Sequence, residues 1–445
     1  MSVVTRFAPS PTGHLHVGNA RIAIANALLA RAAGGQFVLR YDDTDTERSR
    51  PEFVQSIAED LAWLGIDCDE VVHQSAGIED YRKAARSLEA AGRLYPCYET
   101  RDELEHKRKR LLALKRPPIY DRAALSLGDA ERQALEDEGR QPHWRFKLAP
   151  ETIAWDDTVR GAQHYDTASV SDPVVVREDG TFLYTLPSVV DDMALGITHV
   201  VRGEDHVTNT AVQLQIMAAL GGDPSALTFA HLPLLTGTGG EGLSKRLGSL
   251  SLKELRHEGL EPMALASFLA ALGTSDAIEP RHNMAALAEA FDLSHVSRNP
   301  PKFDTRDLWH LNARLLHETP FADIAGRLGI AGADEVFWLA VRGNIEKLAE
   351  ARDWWAVCHE ALKPEMRDPD YLAAAAKLLP EEPWDGETFR AWTSVLKAET
   401  GRKGRALFMP LRLALTAREH GPELHNLLPL IGRERALRRL SGEAA

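Results

Sequence analysis

Two prolines and a glycine separate an apolar run from a long helical pattern near the start of the chain. No other stretch limits the fold as much. Val3 to Ala8 reads as a strand and Ala20 to Ala33 as a helix. Between them, in Pro9-Ser-Pro-Thr-Gly-His-Leu-His-Val-Gly-Asn-Ala-Arg21, Pro9, Pro11 and Gly13 force a tight turn that extends neither element. The helix is expected to begin near Gly18-Asn19, so its free N–H groups and positive dipole end face whatever lies above the turn. Gly18 has no Cβ, which leaves the backbone open to a flat ring, and His16 offers a donor at the same edge. A nucleotide with its phosphates over the helix start suits this arrangement. The plainer alternative is a strand–helix turn with a structural histidine.

The alternation continues. Gly34-Gly35 stop the first helix, and Gln36 to Arg40 is a strand ending in Tyr41-Asp-Asp-Thr-Asp45. Helices follow at Glu52 to Leu64 and Tyr81 to Ala91, around a candidate strand at Val71-Val72. Strands alternating with helices imply a parallel sheet with crossover connections. Ligands then sit beyond the carboxyl ends of the strands. From about 95 to 190 the rhythm changes, and an α+β insertion is expected. It has a charged helix at Arg101 to Lys115 and a strand at Trp144 to Lys147. A hairpin, Val174 to Arg177 with Phe182 to Tyr184, turns at Glu178-Asp-Gly-Thr181. The second half of the sheet resumes at Ser188-Val-Val-Asp-Asp192. Strands at Ile197 to Val201 and Leu227 to Leu232 flank a helix at Thr210 to Leu220. A glycine-rich loop, Thr236 to Arg246, opens a region of about 240–305, and 306–445 reads as helices with polar links. The expected boundaries are 1–305 and 306–445.

Length fits about three domains at ~150 residues each. Apolar content of 44% is enough for a sizeable core. No apolar run approaches the ~20 residues of a membrane span, and no signal peptide is expected. Three distant cysteines, Cys68, Cys97 and Cys358, form no metal-ligand spacing and suit a reducing, cytoplasmic setting. A net charge of -13 argues against indiscriminate nucleic-acid binding but not against a local basic face. Such a face is offered by Arg402, Lys403, Arg405, Arg412, Arg418, Arg433, Arg435, Arg438 and Arg439, opposed between 401 and 440 by Glu419, Glu423 and Glu434.

Taken together, Arg6-Phe-Ala-Pro-Ser-Pro-Thr-Gly and Leu15-His-Val-Gly-Asn-Ala-Arg21 resemble the signature frame of class I aminoacyl-tRNA synthetases, in the glutamyl and glutaminyl branch. The loop Gly242-Leu-Ser-Lys-Arg246 resembles that class's second signature, with glycine where the branch has its first lysine. Gly401 to Thr416 resembles the anticodon-binding helices of bacterial glutamyl-tRNA synthetases. The resemblance implies a Rossmann-type parallel-sheet catalytic domain, an inserted α+β acceptor-binding region and an all-helical C-terminal domain. It also implies a glutamate–tRNA ligase, expected as a cytoplasmic monomer. The substrates would be L-glutamate, ATP with Mg²⁺, and tRNA(Glu), with tRNA(Gln) as a second acceptor left open.

By the same resemblance, His16 and Lys245 are the catalytic candidates. Pro9, Ser10, His16, Gly18, Asn19, Ser244, Lys245 and Arg246 would hold ATP. Arg6, Ala8, Ser10, Asp42, Tyr184, Ser188 and Arg202 would hold glutamate. Arginine suits a carboxylate because its planar fork donates two parallel bonds, although Arg6 and Arg202 could instead be structural ion-pair partners. Asp42 stands where the branch has a glutamate, and keeps the charge on a shorter stem. Arg402, Lys403, Arg405 and Arg412 would meet tRNA. Some relatives carry a Cys-x-Cys zinc pair in the insertion; here the sequence reads Cys97-Tyr-Glu99, so no zinc is expected and Cys97 reads as a small buried residue. Gly242 and Asp42 leave room for a paralogue that binds tRNA without activating an amino acid.

Overall fold

The computed structural model describes residues 2–243 and 250–445. They divide into two compact units, Met1–Glu258 with Leu265–Asp304, and Gly259–Ala264 with Thr305–Ala445.

The first unit opens with β1 (Val4–Phe7), α1 (Val17–Ala32), β2 (Gln36–Tyr41), α2 (Pro51–Trp63), β3 (Glu70–His73) and α3 (Ile78–Ala90). Next come β4 (Leu94–Cys97), α4 (Arg101–Ala113), α5 (Asp129–Asp137), β5 (His143–Phe146), β6 (Thr152–Asp157), β7 (Gly161–Asp166) and β8 (Val174–Val176). Then follow α6 (Thr185–Ala194), β9 (His199–Gly203), α7 (Val207–Ala219) and β10 (Thr228–Leu232). Seven strands form one sheet in the order β3-β2-β1-β9-β10-β6-β7. All its pairings are parallel except β6 with β7. The chain builds outward from β1 through β2 to β3, then returns to the opposite side of β1 for β9 and β10. The order therefore reverses between β1 and β9, and a crevice opens beyond the carboxyl ends of those two strands.

Every residue of β1 is buried, as a strand covered on both faces requires. The alanines of α1 let that helix lie close to the sheet: Ala20, Ala23, Ile24 and Leu28 are fully buried. Burial of Ile24 and Leu28 contributes about 2–3 kcal/mol each. Thr5 donates from Oγ1 to the Asn26 carbonyl, and Asn26 Nδ2 donates to the Val201 carbonyl at 3.0 Å, tying α1 to both central strands.

The insertion differs from expectation in one respect. β4, β5 and β8 make a separate three-stranded sheet, but the β6–β7 hairpin joins the main sheet, where Asp157 pairs with Phe229 of β10. In β6 and β7 exposed and half-buried residues alternate, so an edge hairpin of this kind carries little apolar signal. The turn at Glu178–Thr181 is present: Arg177 N–H donates to the Thr181 carbonyl and Leu183 N–H to that of Val175. Ser188-Val-Val-Asp-Asp192 lies within α6, and adds no strand; the next strand of the main sheet after β7 is β9.

The second unit carries helices at Thr305–Glu318, Phe321–Leu328, Glu335–Val341, Glu350–His359, Pro369–Lys377, Thr388–Thr400, Arg405–Thr416, Leu424–Ile431 and Arg433–Leu440. Trp338 and Trp392 sit at its core. Each indole N–H is satisfied, by the Thr319 carbonyl at 2.8 Å and the Ala375 carbonyl at 3.1 Å. Among the described residues no helix is long and apolar enough to cross a membrane.

Candidate functional site

A cavity of about 630 Å³ occupies the crevice between β1 and β9. Arg6 and Ala8 reach it from β1 and its end, and Pro9, Ser10, His16, Gly18 and Asn19 from the turn into α1. Asp42 enters from the end of β2, Tyr184 from the start of α6 and Arg202 from β9. Sequence positions nearly two hundred residues apart therefore share one wall.

His16 is the N-cap of α1. Its Nδ1 accepts the backbone N–H groups of Gly18 at 3.0 Å and Asn19 at 3.3 Å. An accepting Nδ1 carries no proton, so the neutral ring holds its proton on Nε2. Burial lowers the pKa and keeps the ring neutral. This corrects the expectation of free amides over an open Gly18: those two amides are capped by the ring. A Cβ on Gly18 would meet His16 Cε1 at 2.9 Å. The glycine thus makes room for the imidazole, which carries the helix's positive end outward through Nε2–H.

Charge is distributed unevenly. Arg40 is fully buried and contacts three carboxylates: Asp42 at 2.7 Å, Asp192 at 2.7 Å and Asp191 at 3.7 Å. Arg6 Nε pairs with Asp192 at 3.1 Å. Gln74 and Tyr81 also donate to Asp191. Two guanidinium groups face three carboxylates, which leaves one negative charge beside the cavity. Burial raises Asp42 to about 6 despite Arg40. Burial opposes ionisation of Asp192 as well, yet Arg6 and Arg40 together hold it below the ordinary value.

Arg202 has the opposite surroundings. It is 6% exposed. Its Nε donates to His231 Nε2 at 3.1 Å, Nη1 to the Tyr184 hydroxyl at 3.2 Å, and Nη2 to Thr210 Oγ1 at 2.8 Å and the His206 carbonyl at 3.5 Å. All these acceptors are neutral, and among the described residues Arg202 forms no ion pair. Burial lowers its pKa, and the nearby Arg6 charge adds to this, against smaller opposing effects of Tyr184 and Asp192. A buried guanidinium without a counter-ion is costly, and an anionic ligand would supply the missing charge.

Several expected residues lie elsewhere. Ser188 is fully buried behind the wall, and its carbonyl accepts from Arg40 Nη1 at 3.4 Å; it does not line the cavity. Ser244, Lys245 and Arg246 lie outside the described residues. The chain on their far side is tied to the turn, since Ser251 bridges to His16 and Leu252 N–H donates to the Leu15 carbonyl. Lys403 and Arg405 are exposed. Arg402 pairs with Asp368 at 2.6 Å and lies over the Tyr371 ring. Arg412 turns inward and donates to the Pro422 carbonyl. Arg439, counted above with the basic face, is fully buried and donates to four carbonyls, of Ala445, Val357, Leu415 and Glu360; it holds the last helix in place. Cys97 is buried against Tyr95 and Ala124, and among the described residues no cluster of three metal-ligating side chains occurs.

Sequence reasoning passed over Asp192, His231 and Asp157, whose partners are remote in the chain. It also assigned nothing to Arg21, buried at the cavity edge and donating to the Pro233 and Leu272 carbonyls.

Fold and cavity together define a doubly wound α/β domain with a switch-point pocket lined by both carboxylate and guanidinium groups. The family "tRNA synthetases class I (E and Q), catalytic domain" matches residues 2–310, and "Anticodon binding domain" matches residues 353–443. The chain belongs to the class I tRNA synthetases of this E and Q family. It is 60% identical to glutamate–tRNA ligase 2 of Methylobacterium sp. (strain 4-46) over 100% of both chains. It is 57% identical to glutamate–tRNA ligase of Azospirillum brasilense, again over 100% of both. A solved glutamate tRNA ligase from Elizabethkingia meningosepticum, in complex with its amino acid, superposes with a TM-score of 0.85 at 26% identity, covering 99% of this chain and 98% of that one.

Proposed function

We infer that the chain is a glutamate–tRNA ligase. It joins L-glutamate to ATP, giving glutamyl-adenylate and pyrophosphate, and then passes the glutamyl group to the 3′ end of tRNA(Glu). One observation carries the residue assignment. Arg202, buried and in no ion pair among the described residues, faces the same cavity as a cluster with one surplus negative charge. A dicarboxylic amino acid matches both ends, its ammonium toward Asp42 and a carboxylate toward Arg202. Arg6, Ala8, Ser10 and Tyr184 complete the glutamate contacts. The Tyr184 hydroxyl accepts from Arg202, so its own proton is available to the ligand.

Little covalent work falls to the protein. A glutamate carboxylate oxygen attacks the α-phosphorus of ATP and pyrophosphate leaves; a terminal ribose hydroxyl of the tRNA then attacks the carbonyl and AMP leaves. Positioning and charge stabilisation dominate such steps. His16 Nε2–H donates to phosphate oxygen, beside Pro9, Ser10, Gly18 and Asn19. Lys245, with Ser244 and Arg246, stabilises the departing pyrophosphate. Lys245 lies six positions before Ser251, which is bridged to His16. Mg²⁺ travels with ATP, coordinated by phosphate oxygens and water.

Residues 1–305 form the catalytic domain, with the acceptor end of tRNA met by the insertion at about 95–190 and the stem by about 240–305. The helical part, 306–445, reads the anticodon, with exposed Lys403 and Arg405 as phosphate contacts. Arg402 and Arg412 support that surface from partly buried positions. The enzyme acts as a cytoplasmic monomer, a setting its free cysteines favour.

Pyrophosphate exchange tests the reading: exchange dependent on glutamate, measured with and without tRNA, is expected. Absence of exchange in both conditions would leave a tRNA-binding protein instead. Charging purified tRNA(Glu) and tRNA(Gln) separately determines whether tRNA(Gln) is a second acceptor.

A further inference from the structure

Behind Arg202, outside the cavity lining, three buried polar side chains converge. Asp157 ends β6, His231 lies in β10, and Thr210 lies in α7. His231 and Thr210 are fully buried, and Asp157 is 3% exposed. His231 Nδ1 is 2.5 Å from Asp157 Oδ2. Asp157 Oδ1 in turn accepts the backbone N–H groups of Val159, Arg160 and His231 itself. Arg202 Nε can only donate, so His231 Nε2 must accept, and the ring proton sits on Nδ1 facing the carboxylate. That sequence of donors and acceptors has one consistent direction. It ends with Arg202 Nε fixed by His231 and Nη2 fixed by Thr210.

We propose that Asp157, His231 and Thr210 are positioning residues that hold the Arg202 guanidinium in its carboxylate-binding orientation. A free arginine side chain must lose rotamer freedom when it binds. Here that ordering is complete before the ligand arrives, which raises affinity for the charged end of the amino acid without any new contact. The brace costs a buried carboxylate and a buried imidazole, and neither touches the cavity. Two further strands and a helix are thereby joined to a residue of β9. The proposal rests on the assignment of Arg202 to a glutamate carboxylate.

The experiment measures KM for glutamate and KM for ATP separately, by pyrophosphate exchange with saturating tRNA. The variants are His231→Leu, His231→Gln and Thr210→Val, with Arg202→Met for reference. His231→Leu removes the acceptor and is expected to raise KM for glutamate about tenfold. Thr210→Val is expected to raise it about threefold. In both, KM for ATP should stay within about twofold. His231→Gln keeps an oxygen able to accept from Arg202 Nε and should recover most of the affinity. If Arg202→Met raises KM for glutamate but His231→Leu and Thr210→Val do not, the brace is refuted while the assignment of Arg202 stands. If Arg202→Met has no effect, the assignment falls and the brace with it. Equal rises in both KM values would mean general loosening of the fold and would also overturn the proposal. Should His231→Leu fail to fold, Thr210→Val, nearly the same shape as the native residue, decides the matter alone.

Discussion

Replacing Arg202 and Arg40 separately by methionine should have opposite consequences, although both arginines are buried within the same unit. Arg40 satisfies Asp42, Asp191 and Asp192. Its removal takes from Asp42 its ion-pair partner and leaves Asp192 to Arg6 and Asp191 to Gln74 and Tyr81, and breaking a buried pair from one side costs about 3–5 kcal/mol. At about 2 °C or more per kcal/mol for a unit of this size, the melting temperature should fall by about 6 °C or more. Arg202 forms no ion pair among the described residues, and Asp192 acts on it only at longer range. Methionine there relieves a burial cost of several kcal/mol and forfeits hydrogen bonds to neutral acceptors worth about 1 kcal/mol each. Stability should change by no more than about 1–2 kcal/mol. Substrate affinity should respond the other way. Losing one partner of a desolvated charge pair costs about 2–5 kcal/mol of binding, which raises KM for glutamate at least about 30-fold. Scanning calorimetry and pyrophosphate exchange on the two variants provide the assay. Equal melting losses, or an unchanged KM for glutamate in Arg202→Met, would refute the charge argument.

Three other outcomes follow from the same geometry. His16→Asn retains a side-chain oxygen able to cap α1 but lacks the outward donor; kcat for exchange should fall about 100-fold with the melting temperature preserved, whereas His16→Ala should also lose about 1 kcal/mol. Asp42, raised by burial to about 6, should lose its charge as pH drops through that value, so KM for glutamate rises below about pH 6, and Asp42→Asn abolishes that inflection. For stability the sign is reversed: between its ordinary carboxylate value and about 6 the folded chain binds a proton that the unfolded chain releases, so this site's contribution improves as pH falls. Lys403→Ala and Arg405→Ala should each weaken tRNA binding several-fold and reduce the slope of log K against log salt by about 0.7–0.9, measured by fluorescence titration at several salt concentrations.

The central elements were legible because their signals are local. Pro9, Pro11 and Gly13 stop β1, and the alanine-rich pattern defines α1 without help from the rest of the chain. The charged residues around the cavity were legible only in part. Arg6 and Arg202 look alike in sequence, and nothing local tells that one is paired with Asp192 while the other forms no ion pair among the described residues. His231 and Asp157 are each a single polar residue in an otherwise ordinary strand, and their meaning comes from a pairing across 74 positions. Asp191 and Asp192 were placed where the sheet resumes, but helical geometry directs them onto Arg40 and Arg6. Arg439 was counted with the basic face because its run of neighbouring arginines hides that one of them points into the core.

The β6–β7 hairpin has a bearing on how this enzyme could be recombined with its relatives. A chimera that swaps the whole 95–190 stretch, as though it were an appended module, would remove Asp157 and the last two strands on one side of the main sheet along with the parts proposed above to meet tRNA. Grafting only what lies outside about 150–167 would leave the host's own carboxylate under His231. Exchange of acceptor specificity and retention of amino-acid specificity therefore depend on where, within a single loop-rich segment, the splice is made.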